Sequence, residues 1–348
     1  MTDEPVRLGI VGLGRIGRFH AANLFGRVPA VRLVEIVDAD AGVAREQSRL
    51  LGGVAWSTDY RRLLEDPEIE AIVVASPTPY HAEMVEAAAV AGKHVFCEKP
   101  ISLDLGRTYQ TLDAVREAGI LLQVGLHRRF DPDYRAAWQR IVAGDIGDVY
   151  LFRTSLRDMR PPPLEFLKGS GGFFADVTLH DFDTARWLVG EVEEVTAVGA
   201  VLAEPRLAEM GDVDNAVVVL RFVSGALGVL DNSRSAGYGY ECSSEIMGSK
   251  GTLRIENNRR VSVQSLVPGE VRQDFVHDFV ERFADAYRIE MEHFARAVRQ
   301  GTDPEVGGAD AAAAFVIAEA AKRSHLERRT VRLSATSKDG GVFYEEVG

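Results

Sequence analysis

The sequence predicts an α/β protein of two domains. A parallel sheet covered on both faces by helices comes first, and a domain built on a mainly antiparallel sheet follows. Three observations predict this. Through residue 126 short β-branched runs alternate with amphipathic helical patterns, which is how a chain of βαβ units reads. Beyond it, strand-like runs follow one another without helices between them, which marks antiparallel pairing. The 348 residues suit two domains of ordinary size, divided as 1–126 and 127–348.

The elements follow in order. RLGIV (Arg7–Val11) reads as a strand and HAANLF as the body of a helix. VRLVEIV (Val31–Val37), a helix through AREQSRLL, and the strand AIVVAS (Ala71–Ser76) continue the alternation. Thr78 and Pro79 then read as the cap and first residue of a helix. HVFCE, a helix after Ser102 and ILLQVG (Ile120–Gly125) complete the parallel set. A helix over Asp131–Val142, a strand near Val149–Ser155 and a loop with Pro161, Pro162 and Pro163 lead into a further helix. VTAVGAVL, NAVVVLRF, GALGVLDN, SSEIMG, TLRIE and VSVQSLV supply the second sheet. Phe275, Phe279, Phe283, Tyr287, Met291 and Phe294 lie on one helical stripe, expected to pack on that sheet.

Composition narrows the function. The chain is 46% hydrophobic and 26% charged, enough to bury a core, and its net charge is −12. That balance argues against a nucleic-acid partner, which requires clustered Lys and Arg. No basic amphipathic segment or long apolar run suggests a membrane, and the N-terminal segment lacks the apolar stretch of a secretory signal. Cys97 and Cys242 are the only cysteines, too few for a disulfide framework. A cytoplasmic setting is expected.

Two motifs point to a nucleotide. GIVGLGRIG sets Gly12, Gly14 and Gly17 as G-x-G-x-x-G between a strand and a helix. The first glycine permits the tight turn, the second lets a pyrophosphate approach the backbone, and the third lets helix and strand pack closely. The helix N-terminus offers N–H groups and a positive dipole end to the phosphates. Asp38, in VDAD at the end of the second strand, is placed to accept hydrogen bonds from the adenosine ribose. Its charge would repel a 2′-phosphate, which favours NAD over NADP.

Two more carry chemistry. In HVFCEKP, Lys99 sits beyond a strand's carboxyl end, where open parallel sheets hold ligands, and Pro100 restricts its backbone. GGFFADVTLHDFD spaces Asp176, His180 and Asp183 along one face of a helix, with Asp181 pointing away. From the residues alone this stripe is a metal site, an acid–base pair or the polar edge of a capped helix. No second His-rich motif matches it, so a metal is not expected. An imidazole beside a carboxylate suits proton removal from a hydroxyl as hydride leaves its carbon.

Taken together, GLGRIG, VDAD, SPTPYH, CEKP and GGFFADVTLHDFD resemble, in this order and spacing, the Gfo/Idh/MocA oxidoreductases. SPTPYH, HRRFD, RPPPLEFLKGSGG, DNSRSAGYGY and RFADAY make the likeness strongest to its inositol 2-dehydrogenases. The resemblance implies a Rossmann domain, a C-terminal α/β domain with a large open sheet, assembly as a homotetramer, and NAD-dependent oxidation of a polyol. It makes His180 the general base, Asp176 its partner, Lys99 a polarising donor and Asp183 a ligand for a substrate hydroxyl. Ser76, Pro77, Thr78 and His81 would wall the ribose and nicotinamide, with Arg15, Ile16, Glu98 and Gln123 also on the cofactor. His127, Arg128, Arg157, Asp158, Tyr238 and Tyr240 would face substrate. Two positions depart from the pattern: His127 stands where many inositol enzymes have Met, and SLRDMR replaces a shorter SRDP-like run.

Overall fold

The computed structural model describes residues 4–256, 259–338 and 341–347. They form two compact units. One is the chain up to Phe130 with Asp285–Ala312, and the other is Asp131–Ala284 with the chain from Ala313 onward.

The first unit holds β1 (Val6–Val11), β2 (Val31–Val37), β3 (Ala55–Ser57), β4 (Ala71–Val74), β5 (His94–Cys97) and β6 (Leu122–Val124) in one sheet. Its order is β3-β2-β1-β4-β5-β6, every pairing parallel. The order reverses between β1 and β4, and a doubly wound sheet binds its ligand at the strand ends beside that reversal. Every residue of β4 is buried, which is why the strand reads as an unbroken apolar run. On one face Ala21 and Leu24 of the helix Arg15–Gly26 pack with Ile10, Ile36 and Phe96. On the other, Val85 and Ala88 of His81–Val90 and Val115 of Leu105–Ala118 pack with Val11, Val74 and Cys97.

Two expectations are corrected here, and a third is met. Thr78 and Pro79 open only a single 3₁₀ turn, Thr78–Tyr80, with no side-chain cap, and the α-helix begins at His81. The helix expected after Ser102 is present as Leu105–Ala118, capped by Asp104, whose carboxylate accepts from the Arg107 N–H at 2.6 Å. The aromatic stripe is broken: Phe275 ends a strand, Phe279 lies in the short helix Phe279–Arg282, and a separate helix runs Ala284–Gln300. Met291 and Phe294 of that helix join the core of the parallel sheet instead of the antiparallel one. Helical spacing identifies a buried face but not the sheet that buries it.

The second unit contains β7 (Val149–Arg157), β8 (Val192–Ala200), β9 (Asn215–Phe222), β10 (Leu227–Ser233), β11 (Glu241–Gly248), β12 (Thr252–Ile255), β13 (Arg259–Val267), β14 (Glu270–Phe275), β15 (Val331–Lys338) and β16 (Gly341–Val347). All but β13 and β14, which pair as a separate hairpin, form an eight-stranded sheet ordered β12-β11-β7-β10-β9-β8-β15-β16. Only β7 and β10 run parallel. β9 alternates: Ala216, Val218, Leu220 and Phe222 are buried, while Val217 and Val219 remain 49% and 43% exposed. The helix Leu179–Val189 buries Leu179, Phe182, Ala185 and Leu188. Its Trp187 stacks on Trp138 of the helix Pro132–Val142, 5.8 Å between ring centres, with Arg135 over both rings. No helix among the described residues is long and apolar enough to cross a membrane.

Candidate active site

The glycine-rich turn closes as its spacing requires, and each glycine has a separate reason. Gly12 has φ +91°, and a Cβ there would lie 2.4 Å from the Ser76 nitrogen. At Gly17 a Cβ would lie 1.9 Å from the Gly12 carbonyl oxygen. At Gly14 it would meet no protein atom within 4 Å, although Gly14 is the N-cap of the helix Arg15–Gly26. The third position is therefore closed by the protein and the second is open to a ligand. A pyrophosphate fits an open, side-chain-free helix N-terminus of this kind. Arg15 is exposed in the first turn and Ile16 half-buried. Asp38 fastens the turn, accepting from the Leu13 N–H at 2.7 Å and the Asp40 N–H at 2.9 Å.

Ser76, Pro77 and Thr78 follow β4, at the carboxyl end of the strand. His81, predicted beside them, is 1% exposed, and its ring bridges two main-chain segments. Nδ1 lies 2.8 Å from the Pro100 carbonyl oxygen and Nε2 2.7 Å from that of Ser76. Burial pulls this imidazole below its usual pKa, while the two carbonyl acceptors push the other way. The ring thus ties the end of β4 to the loop carrying Lys99. The Lys99–Pro100 peptide is cis.

Glu98 turns inward. Its Oε1 is 2.7 Å from His20 Nε2, and its Oε2 accepts from the Lys99 N–H at 3.3 Å. Gln123 is buried and braces the helix Ala284–Gln300, donating to the Glu290 carbonyl at 2.9 Å while its Oε1 meets His293 Nδ1 at 3.0 Å. Of the substrate-side residues, His127 and Arg128 belong to this unit and are buried; the His127 ring stacks on Tyr287 at 4.5 Å.

In the second unit, Phe174–Thr178 is a π-turn that runs directly into the α-helix Leu179–Val189. Asp176 lies in the π-turn, and His180 and Asp183 lie in the helix. The expected uniform α-helical stripe therefore starts with a wider turn, a feature frequent at functional sites. Asp176 and His180 are half-buried and Asp183 fully buried. Asp181 points away as expected: it sits against the sheet, accepting from Asn232 Nδ2 at 2.7 Å and Thr154 Oγ1 at 3.4 Å.

The residue missed by sequence reasoning is Arg234. It is 1% exposed, donates through Nη1 to Asp176 Oδ2 at 3.0 Å, and lies over the Phe173 ring. Its signal was present in DNSRSAGYGY, a polar run containing a single cation just beyond β10. Asp176 is thereby held by a buried guanidinium. We predict that Arg234→Met lowers stability by about 2 kcal/mol, because it removes the buried guanidinium that pairs with a partly buried carboxylate. Chemical denaturation measures this, and an unchanged midpoint would refute the pairing.

The remaining candidates separate. Arg157 donates to Glu241 at 2.9 Å and to the Tyr238 hydroxyl at 3.2 Å, and also pairs with Asp231. Although partial burial opposes its charge, hydrogen bonds to Tyr238 and Asp231 and the nearby carboxylates raise its pKa. Asp158 joins main-chain bonds to Ser233 and Ala236, and Tyr240 packs edge-on to Phe283 at 6.4 Å. Among the described residues, one further group can present three ligand atoms to an ion: His20, Glu98 and Glu290, all buried.

Comparison with known proteins agrees with this layout. Residues 6–126 match the oxidoreductase family's NAD-binding Rossmann fold, and residues 139–333 match its C-terminal alpha/beta domain. The chain is 43% identical to a myo-inositol 2-dehydrogenase of Thermotoga maritima, spanning 94% of this chain and 98% of the relative. It is 40% identical to an NAD⁺-dependent scyllo-inositol 2-dehydrogenase of Bacillus subtilis, over 95% and 97% of the two chains. The crystal structure of scyllo-inositol dehydrogenase from Lactobacillus casei with bound NAD(H) and scyllo-inositol superposes with a TM-score of 0.89, at 30% identity, over 94% of this chain and 99% of that one. Glycine turn, inward Glu98, Lys99 and the Asp176–His180 helix thus stand in a chain that belongs to the Gfo/Idh/MocA oxidoreductases, with the family's NAD-binding Rossmann domain at its start.

Proposed function

We propose that this protein is an NAD-dependent cyclitol dehydrogenase that oxidises myo-inositol to 2-keto-myo-inositol. The observation that carries the reading is the Asp176–His180 helix, with Asp176 held by buried Arg234, in a chain similar along 94% of its length to a myo-inositol 2-dehydrogenase. Residues 1–126 bind the cofactor and 127–348 the polyol. Gly12, Gly14, Arg15, Ile16, Gly17, Asp38, Ser76, Pro77 and Thr78 hold the dinucleotide, with His81, Glu98 and Gln123 behind its nicotinamide end.

NAD, when bound, supplies a hydride acceptor. The protein's own part is to place a hydroxyl and remove its proton. His180 takes the proton through its ring, Asp176 stabilises the imidazolium so formed, and the Lys99 ammonium donates a hydrogen bond to the same oxygen. An alcohol is a very weak acid, so base and donor must meet the oxygen together for either to be effective. Asp183, His127, Arg128, Arg157, Asp158, Tyr238 and Tyr240 are assigned to the remaining hydroxyls, which neutral and charged hydrogen-bonding groups recognise without a phosphate-binding cluster.

A scyllo-inositol reading is the alternative, favoured by the 40% identity to the Bacillus enzyme. NADH formation with myo-, scyllo- and D-chiro-inositol and glucose tests both. We expect turnover with myo-inositol to exceed that with glucose by at least about tenfold, and no turnover of any cyclitol would end the assignment. A homotetramer is proposed too, through the large sheet, whose open face shows Val217, Val219 and Val198 at 49%, 43% and 69% exposure. A reducing cytoplasmic setting is proposed as well, since two buried cysteines are too few for a disulfide framework.

A further inference from the structure

The first unit contains a buried cluster that the reaction does not use directly. His20, Glu98 and Glu290 approach so closely that one ligand atom from each lies within 4.8 Å of the others. His20 and Glu290 are 0% exposed and Glu98 7%. His20 comes from the glycine-turn helix, Glu98 from the loop after β5, and Glu290 from the helix Ala284–Gln300. The Phe96 and Tyr287 rings pack edge-on to His20, so the surroundings are apolar.

The two carboxyl groups are supplied unequally. Glu98 has two donors, His20 Nε2 at 2.7 Å and the Lys99 N–H at 3.3 Å. Glu290 has neither oxygen hydrogen-bonded to protein. Two ionised carboxylates this close in a buried, apolar site repel, so one of them retains a proton, and the one without donors is the one that keeps it. His20 Nδ1 has no hydrogen-bond partner, so the ring's hydrogen bond in the cluster is the one from Nε2 to Glu98. We propose that Glu290 is a neutral carboxylic acid, and that the hydrogen-bonded Glu98–His20 pair beside it is a positioning device for Lys99.

Gly125 completes the device. A Cβ there would lie 2.9 Å from Glu98 Oε2, so the carboxylate is held between the bare Gly125 backbone and His20. From that position it grips the peptide N–H of Lys99, and with it the direction in which the lysine leaves the loop. Burial, and secondarily the Glu98 charge, push the Glu290 carboxyl well above its usual range, in line with the geometry. A bound cation is the rival use of these groups. The His20–Glu98 separation of 2.7 Å fits a hydrogen bond; two ligands about 2.0–2.1 Å from a tetrahedral ion lie well over 3 Å apart.

This inference rests on the reading of Lys99 as the polarising donor, and its test separates the two. Glu290 keeps its proton in the folded state while the unfolded chain loses it near pH 4.3, so wild-type stability should fall as pH rises above that value. Glu290→Gln mimics the neutral acid and removes this dependence. The Tm difference between Glu290→Gln and wild type should widen in the variant's favour by about 5 °C from pH 5.5 to 8.5. A constant difference would overturn the proposal. In steady-state assays Glu98→Gln should lower kcat about tenfold with the Kd for NAD within about twofold, whereas Glu290→Gln should lower kcat less than about threefold. Equal losses in the two variants, or a stoichiometric divalent ion whose chelation lowers Tm, would also overturn it. Absence of turnover by the wild type would instead remove the assignment of function, leaving the pH-dependent Tm as the test of Glu290.

Discussion

His180→Ala is expected to lower kcat about a thousandfold while the Kd for NAD stays within about twofold, the size of effect a lost general base produces. The proposed substrate is an alcohol. Its proton has to leave as the C–H bond breaks, and an imidazole is the side chain best matched to accept it near neutral pH. His180 sits at the start of an α-helix, with its carbonyl bonded to Thr184 Oγ1 at 2.7 Å, so the main chain that carries the ring is anchored. Asp176 precedes it in the π-turn and is itself held by Arg234 at 3.0 Å. Asp176→Asn should therefore lower kcat by a smaller factor, about tenfold to a hundredfold, since it weakens the imidazolium without removing the base. NADH formation at saturating polyol, together with NAD titration, measures both variants. Wild-type turnover in His180→Ala would place the base elsewhere.

The parts of this machinery differ in how far the sequence reveals them. β1 through β6 were legible, apart from the three-residue β3, because a strand buried on both faces must be an apolar run. The three glycines were legible because Gly12 and Gly17 each meet a steric demand of the turn, while Gly14 leaves the helix N-terminus open to a ligand. Arg234 was not: its bond to Asp176 spans 58 residues, and nothing local distinguishes a buried arginine from a solvated one. The π-turn was equally hidden, since one extra residue in a helical turn leaves the polar spacing almost unchanged. Glu290 shows the limit best. In the sequence it is a charged residue of a strongly amphipathic helix, whose ordinary reading is the solvated face. In the folded chain it is fully buried beside a second glutamate that lies far from it in sequence.

The cofactor turn gives the second large effect, and a pair of variants separates its causes. Gly17→Ala should lower NAD affinity at least about a hundredfold, roughly 2.7 kcal/mol, and lower Tm as well. Its new methyl carbon would stand 1.9 Å from the Gly12 oxygen and 3.4 Å from the Ala75 side chain, so the helix Arg15–Gly26 must back away from the turn. That movement strains the Gly12 N–H bond to Val37 O at 2.8 Å and the Leu13 N–H bond to Asp38 at 2.7 Å, the contacts that shape the phosphate cradle. Gly14→Ala adds the same methyl group where no protein atom lies within 4 Å, at φ −67°, ψ −166°, a conformation open to alanine. Its Tm should match wild type while NAD affinity falls about tenfold, because the group meets only the ligand. Calorimetry and NAD titration of both proteins decide the matter. Equal Tm losses would show that the second glycine serves the fold, and an undiminished affinity in Gly14→Ala would move the pyrophosphate off this helix.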